Sequence, residues 1–189
     1  MFKKILVPVD GSEGSWRALE HAVALGEKFE SEIQVVNVIQ PYIYDDEMTD
    51  STDMGRTMAI AAFYTMKQHF NDFKTTPMDY DLILTGDLSY YGKDMLIKFF
   101  SEYNIDIVKQ YNDCGLMIYN RKEQDVLAGG SGCGCCAAVT YGYVLEALKE
   151  GRYKKVLIVA TGALLNPVIV AQKETIPSIA HAIVLERVE

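Results

Sequence analysis

The chain has 189 residues, 49% of them apolar and 23% charged, with a formal net charge of −8 and a pI near 4.9. That length and apolar content suit one globular domain with a sizeable core. The acidic balance argues against nucleic acid or an anionic membrane as a partner, because an acidic surface is poorly suited to displace the cations condensed on phosphate. The opening MFKKILVPVDGS carries two lysines but only a short apolar run before Asp10. That is too little for a signal peptide or a membrane span, so a soluble, cytoplasmic protein is expected.

Lys3 to Val9 reads as a buried strand ending at Asp10-Gly11. Ser12 caps a helix to about Glu30, with Trp16, Leu19, Val23 and Phe29 on or near one face. Ile33 to Ile39, a β-branched run, is the next strand, and strand–helix–strand in this compass predicts a parallel, right-handed βαβ unit. Pro41 to Asp53 carries Asp45, Asp46, Glu47, Asp50 and Asp53 with no basic residue. It lacks the glycine turn and ligand spacing of a calcium loop and reads as a solvated linker. Met58, Ala62, Met66 and Phe70 recur every fourth residue and predict a helix from Met54 to Phe73. Further along, Asp81 to Thr85 and Gly115 to Tyr119 read as strands, and Gly92 to Tyr103 and Ser131 to Lys149 as helices. Lys155 to Thr161 and His181 to Val188 are strands without a predicted helix between them, so they can pair antiparallel. Six strands against four helices predict an α/β fold in three αβα layers, the sheet mostly parallel with an antiparallel last strand.

Two family resemblances can then be named. KKILVPVDGSEGSWRALEHAVAL followed by VVNVIQP, over residues 1–41, resembles the opening of universal stress proteins. That resemblance implies adenine-nucleotide contacts at Asp10 and Val38, but the family's G-x-x-G phosphate loop has no counterpart after Pro41. Residues 54–189 resemble the C-terminal half of the stage V sporulation protein AD family, which is thiolase-like. The resemblance rests on DYDLILTGDL, YNDCGLMIY, QDVLAGGSGCGC, VATGALL and IPSIAHA. It implies a non-enzymatic fold that binds dipicolinic acid and helps move calcium dipicolinate into the spore with membrane partners. The family's N-terminal half, with its nucleophile-like cysteine, has no counterpart in the chain, and Leu127 stands where the family carries a histidine. The join reads as a natural recombination or an engineered chimera. The chain is then one α/β domain, residues 42–53 being the linker. Ile33 to Ile39 supplies the first strand of the thiolase-type half, and Lys3 to Glu30 is an added strand and helix.

Chemistry concentrates in AGGSGCGCCA, Ala128 to Ala137. Cys133, Cys135 and Cys136, with Cys114 far upstream and three scattered histidines, do not form the paired ligands of a zinc site, and no cofactor is expected. As nucleophiles the cysteines lack a placed base, so an acyl transferase is only an alternative, and they read as small packing residues. Gly129, Gly130, Ser131, Gly132 and Cys133, leading into a helix, can present backbone N–H groups to a carboxylate or phosphate, with His181 lining the same site. A nucleotide-binding module using Asp10 and Val38 is the other alternative. Asp87 and Asp113 lie at strand ends, where α/β ligand sites collect, and otherwise read as turn caps. The small residues continue through Ala137, Ala138 and Gly142 and predict close backbone approach, with a homodimer formed through the Ser131–Lys149 helix.

Overall fold

In the computed structural model, the described residues are 4–9, 13–29, 32–37, 43–44, 53–130 and 132–187. Asp10, Ser12, Val38, Ser131 and most of the acidic run after Pro41 lie outside them. The chain divides into two compact units, Met1–Gln40 and Pro41–Glu189.

In the first unit, β1 (Lys4–Val9) and β2 (Glu32–Asn37) pair in parallel, Val7 opposite Val35, across the helix α1 (Glu13–Phe29). The parallel pairing across one helix is therefore as expected. The buried face of α1 differs. Ala22 is buried and packs with Val7 and Leu19, whereas Trp16 is 53% exposed and Val23 41% exposed. The stripe runs through Leu19, Ala22 and Gly26, a spacing that keeps small residues against the strands.

The second unit is built on a five-stranded sheet in the order β3-β7-β6-β4-β5. Its strands are β3 (Ile43–Tyr44), β4 (Leu82–Thr85), β5 (Tyr111–Asp113), β6 (Lys155–Ala163) and β7 (Ser178–Glu186). β5, β4 and β6 are parallel, while β7 runs antiparallel to β6 and to β3. β2 pairs with β1, and the strand bordering β7 is β3, so the expectation that Ile33–Ile39 joins this sheet is corrected. Alternation along the strands sends neighbouring side chains to opposite faces. Leu82, Leu84, Val156 and Ile158 meet one helical layer, α5 (Cys135–Val139), the π turn Thr140–Val144 and α6 (Leu145–Lys149), through Cys135, Val139, Val144 and Leu148. The other face is covered by α2 (Met54–Phe73), which packs on β6 and β7, and by α3 (Ser89–Glu102), which lies along α2. The three-layer αβα fold holds.

The α2 periodicity is borne out: Met58, Ala62, Met66 and Phe70 are all buried, and each large apolar side chain removed from water contributes about 2 kcal/mol. Gly55 and Gly92 set the α2–α3 crossing, since a Cβ on Gly92 would lie 2.7 Å from the Gly55 carbonyl oxygen. Two elements depart from expectation. Gly115 to Tyr119 is not a strand. Asp113 accepts the Gly115 N–H at 3.0 Å and starts the short helix α4 (Cys114–Met117), leaving Tyr111–Asp113 as the strand. The Ser131–Lys149 helix begins only at Cys135 and passes through a π turn, Thr140–Val144, between α5 and α6. A further helix, α7 (Pro167–Gln172), follows β6; its signals are the Asn166 cap and Pro167 in the first turn.

Candidate functional site at the strand ends

The parallel strands β4 and β5 end together, Thr85 opposite Asp113, while β6 runs on past them from Val159 to Ala163, and the segments that follow β4 and β5 converge beside it. The turn Thr85-Gly86-Asp87-Leu88 leads from β4 into α3. Gly86 is required there, because a Cβ would sit 2.9 Å from the Thr161 backbone nitrogen. The turn is held by Asp113, whose carboxylate is fully buried at the end of β5. One oxygen accepts from the Thr85 hydroxyl at 2.6 Å and the Leu88 N–H at 2.9 Å. The other accepts from the Ser89 N–H at 2.9 Å and the Gly115 N–H at 3.0 Å. Because the Thr85 proton goes to Asp113, the Tyr111 hydroxyl donates to Thr85 Oγ1, at 2.7 Å. Burial pushes both Asp113 and Tyr111 above their ordinary ranges, while the four donors pull Asp113 back toward the ionised form. Two of those donors are backbone N–H groups at the start of α3, where negative charge is favoured. Asp113 is the turn cap expected of it.

The glycine segment docks on this scaffold. The Gly130 N–H donates to the Gly115 carbonyl at 2.8 Å, and the Ser89 hydroxyl donates to the Gly130 carbonyl at 3.0 Å. The Gly129 N–H is taken by the Val126 carbonyl at 2.8 Å. The Gly132 N–H donates to one Asp87 oxygen at 3.1 Å, and the Thr161 hydroxyl to the other at 2.8 Å. The expectation of free N–H groups at Gly129, Gly130 and Gly132 is thereby corrected: all three serve the chain's own carbonyls and carboxylate. What stays open is bare backbone. Nothing lies within 4 Å of where a Cβ would stand on Gly132 or Gly134, and Cys133 between them is exposed.

Asp87 is the linking residue of the cluster, joining the turn after β4 to the glycine segment and to the end of β6. It is half-buried, and loss of hydration pushes its carboxyl above the ordinary range against the pull of Thr161 and Gly132. The sequence signals for it were the TGDL and VATG runs at two strand ends. Neither run says that their side chains meet.

The other candidates are dispersed. Cys114 is fully buried with Cys135, and Cys136 packs against them. Cys114 donates to Cys136, so its own thiol is driven far up while Cys136 is held down as the acceptor. Burial pushes Cys135 up to about 11. Cys135 and Cys136 are packing residues as read from the sequence, with Cys114 joining them, but the same reading of Cys133 is corrected, since that thiol is exposed on the turn before α5. His69 is also in the core, with Nε2 2.5 Å from the Tyr80 hydroxyl. His181 is exposed on β7 opposite Ala160 and next to the Thr161 pair. Leu127 has a left-handed backbone, φ 47°, and is 86% exposed, its carbonyl accepting from Arg121 Nε at 2.8 Å.

Against known proteins, residues 14–186 match the family model described as Stage V sporulation protein AD (SpoVAD). The chain belongs to the stage V sporulation protein AD family. It is 48% identical over 156 residues to the stage V sporulation protein AD of Bacillus subtilis (strain 168), covering 82% of this chain and 46% of that protein. The chain therefore spans about half the length of that relative. The family match starts at Gly14, inside the segment that resembles a stress protein, and lends no support to a stress-protein module or to a fusion. Among the described residues, no helix is long and apolar enough to cross a membrane.

Proposed function

We propose that this sporulation protein is a non-catalytic binding protein whose ligand is dipicolinic acid, held at the strand-end cluster. The observation that carries the reading is the convergence of three segments on Asp87, with bare backbone beside it at Gly132 and Gly134. A flat dicarboxylate can lie against backbone that carries no side chain. Family membership supports the same direction, since the resemblance read from the motifs implies this ligand and a role in moving calcium dipicolinate with membrane partners. Calorimetry with pyridine-2,6-dicarboxylate, with the 3,5-isomer as control, tests it. The 2,6-isomer is expected to bind one per chain, and Gly134→Gln, which fills open space without touching the core, is expected to weaken it at least about tenfold. Equal heats from both isomers, or a Gly134→Gln variant that binds unchanged, would remove the site.

We also propose that two copies pair through the helical layer from Cys135 to Lys149. Ala137, Ala138, Tyr141 and Gly142 are exposed there without a charge among them. An uncharged face of small and aromatic residues is suited to close approach by a like face.

A further inference from the structure

Asp87 poses a problem for any acidic ligand. An ionised carboxylate offers about four lone-pair directions, and the chain uses two, one on each oxygen, for Gly132 and Thr161. Two directions remain on its half-exposed side, beside the exposed Gly132 and Cys133. Among the described residues no basic side chain pairs with it: the ion pairs are Arg17–Glu13, Lys149–Glu146 and Arg152–Glu150. Lys93, on α3, donates to Asn112, and Arg121 donates to the Leu127 carbonyl. The titratable groups around Asp87 are the Cys135 and Cys136 thiols of α5, which feel its charge, and Asp113 at the end of β5, which acts on the same thiols. On the β7 side, exposed His181 lies across from Ala160, one residue before Thr161. A dianion placed on this cluster therefore meets an uncompensated negative charge.

Two carboxylates brought within hydrogen-bond distance do not both stay ionised, because like charges that close favour retention of one proton between them. We infer that Asp87 and one carboxylate of the bound dicarboxylate share a single proton, so that binding takes one proton up from solvent. The inference rests on the ligand reading above. The proton comes from water or buffer and bridges an Asp87 oxygen and a ligand oxygen in a short, charge-assisted hydrogen bond; no other bond forms or breaks. Asp87 is thus a positioning residue that selects ligands able to carry a donor at one end. The desolvation that already favours its protonated form acts in the same direction.

The test is calorimetry with pyridine-2,6-dicarboxylate at neutral pH in buffers of different ionisation enthalpy, repeated across a pH series. The wild-type chain is expected to take up about one proton per ligand, its affinity falling about tenfold per pH unit on the alkaline side. Asp87→Asn, checked for folding by circular dichroism, is expected to bind with no proton uptake. Thr161→Val keeps the carboxylate and is expected to keep the uptake. Binding by the wild-type chain without proton uptake overturns the inference and leaves the ligand reading standing. So does unchanged uptake in Asp87→Asn. No binding heat in any buffer at any pH overturns the ligand reading, and this inference with it.

Discussion

Gly115 and Gly130 touch backbone to backbone: the Gly130 N–H donates to the Gly115 carbonyl at 2.8 Å, and a Cβ on Gly115 would lie inside the Gly130 carbonyl oxygen. The glycine segment is anchored by this contact, and Ser89 reinforces it from α3. Gly115→Ala must push the two backbones apart and is expected to destabilise the chain by about 2–4 kcal/mol. Gly142→Ala, melted at a concentration too low for copies to pair, is the control, with nothing within 4 Å of its Cβ position in the chain and a place inside the π turn. It is expected to be neutral or to stabilise by up to about 1 kcal/mol. Urea melts of both variants check the contrast, and equal midpoints would contradict it.

Asp113 is the second anchor. Asparagine in its place turns an NH2 toward one pair of the four donors it now serves, leaving buried groups facing one another unsatisfied. Asp113→Asn is expected to cost about 2–4 kcal/mol. Thr85→Val, which removes one donor and leaves the Tyr111 hydroxyl without its acceptor, is expected to cost less, about 1–2 kcal/mol. Thermal melts give the order, and a Thr85→Val loss larger than that of Asp113→Asn would contradict this hierarchy.

His69 makes stability depend on pH. Burial, with help from Lys155, lowers its pKa from 6.5 to about 4. The unfolded chain therefore binds the proton more readily than the folded one between those values. Stability contributed by the neutral imidazole is complete above pH 6.5 and is lost as pH falls toward about 4. The full loss amounts to about 3 kcal/mol. The difference in unfolding free energy between the wild-type chain and His69→Gln isolates this contribution, since groups common to both cancel. A difference that stays constant through the window would contradict it.

The four cysteines should react in an order set by exposure and thiol acidity. Cys133 is exposed, Cys136 is half-buried with its pKa held down, and Cys135 and Cys114 are buried with theirs raised. A thiol-disulfide reagent is expected to label Cys133 fast, Cys136 more slowly, and the other two only as the chain unfolds. Cys133→Ala removes the fast phase. Rapid native-state modification of Cys114, read by peptide mass spectrometry, would contradict the packing described.

Pairing through the Cys135–Lys149 layer predicts a dimeric mass in light scattering at tens of micromolar, on the order of ordinary homodimer affinities. Ala138→Arg, which sets like charges on facing copies, is expected to return the monomer. A monomer for the unmutated chain would refute the pairing.

Much was legible from local pattern. The fourfold apolar recurrence of Met58, Ala62, Met66 and Phe70 marked α2, and the apolar runs of β1, β4 and β6 marked strands, because burial on one face or both imposes those periods on the sequence itself. The order of strands and helices carried the αβα layering, and the motifs carried the family. What only the tertiary structure decided depends on residues far apart in the chain. Gly115 to Tyr119 has the composition of a strand, yet Asp113 turns it into helix by accepting the Gly115 N–H while also gripping Leu88 and Ser89. Trp16 and Val23 have a helical spacing that suits a core, yet Ala22 takes the buried face of α1. The free N–H groups expected of Gly129, Gly130 and Gly132 are spent on Val126, Gly115 and Asp87. A local pattern records which residues can be buried or can turn. Which donor meets which acceptor is fixed only when strands distant in sequence lie side by side, as at Asp87 and Thr161 here.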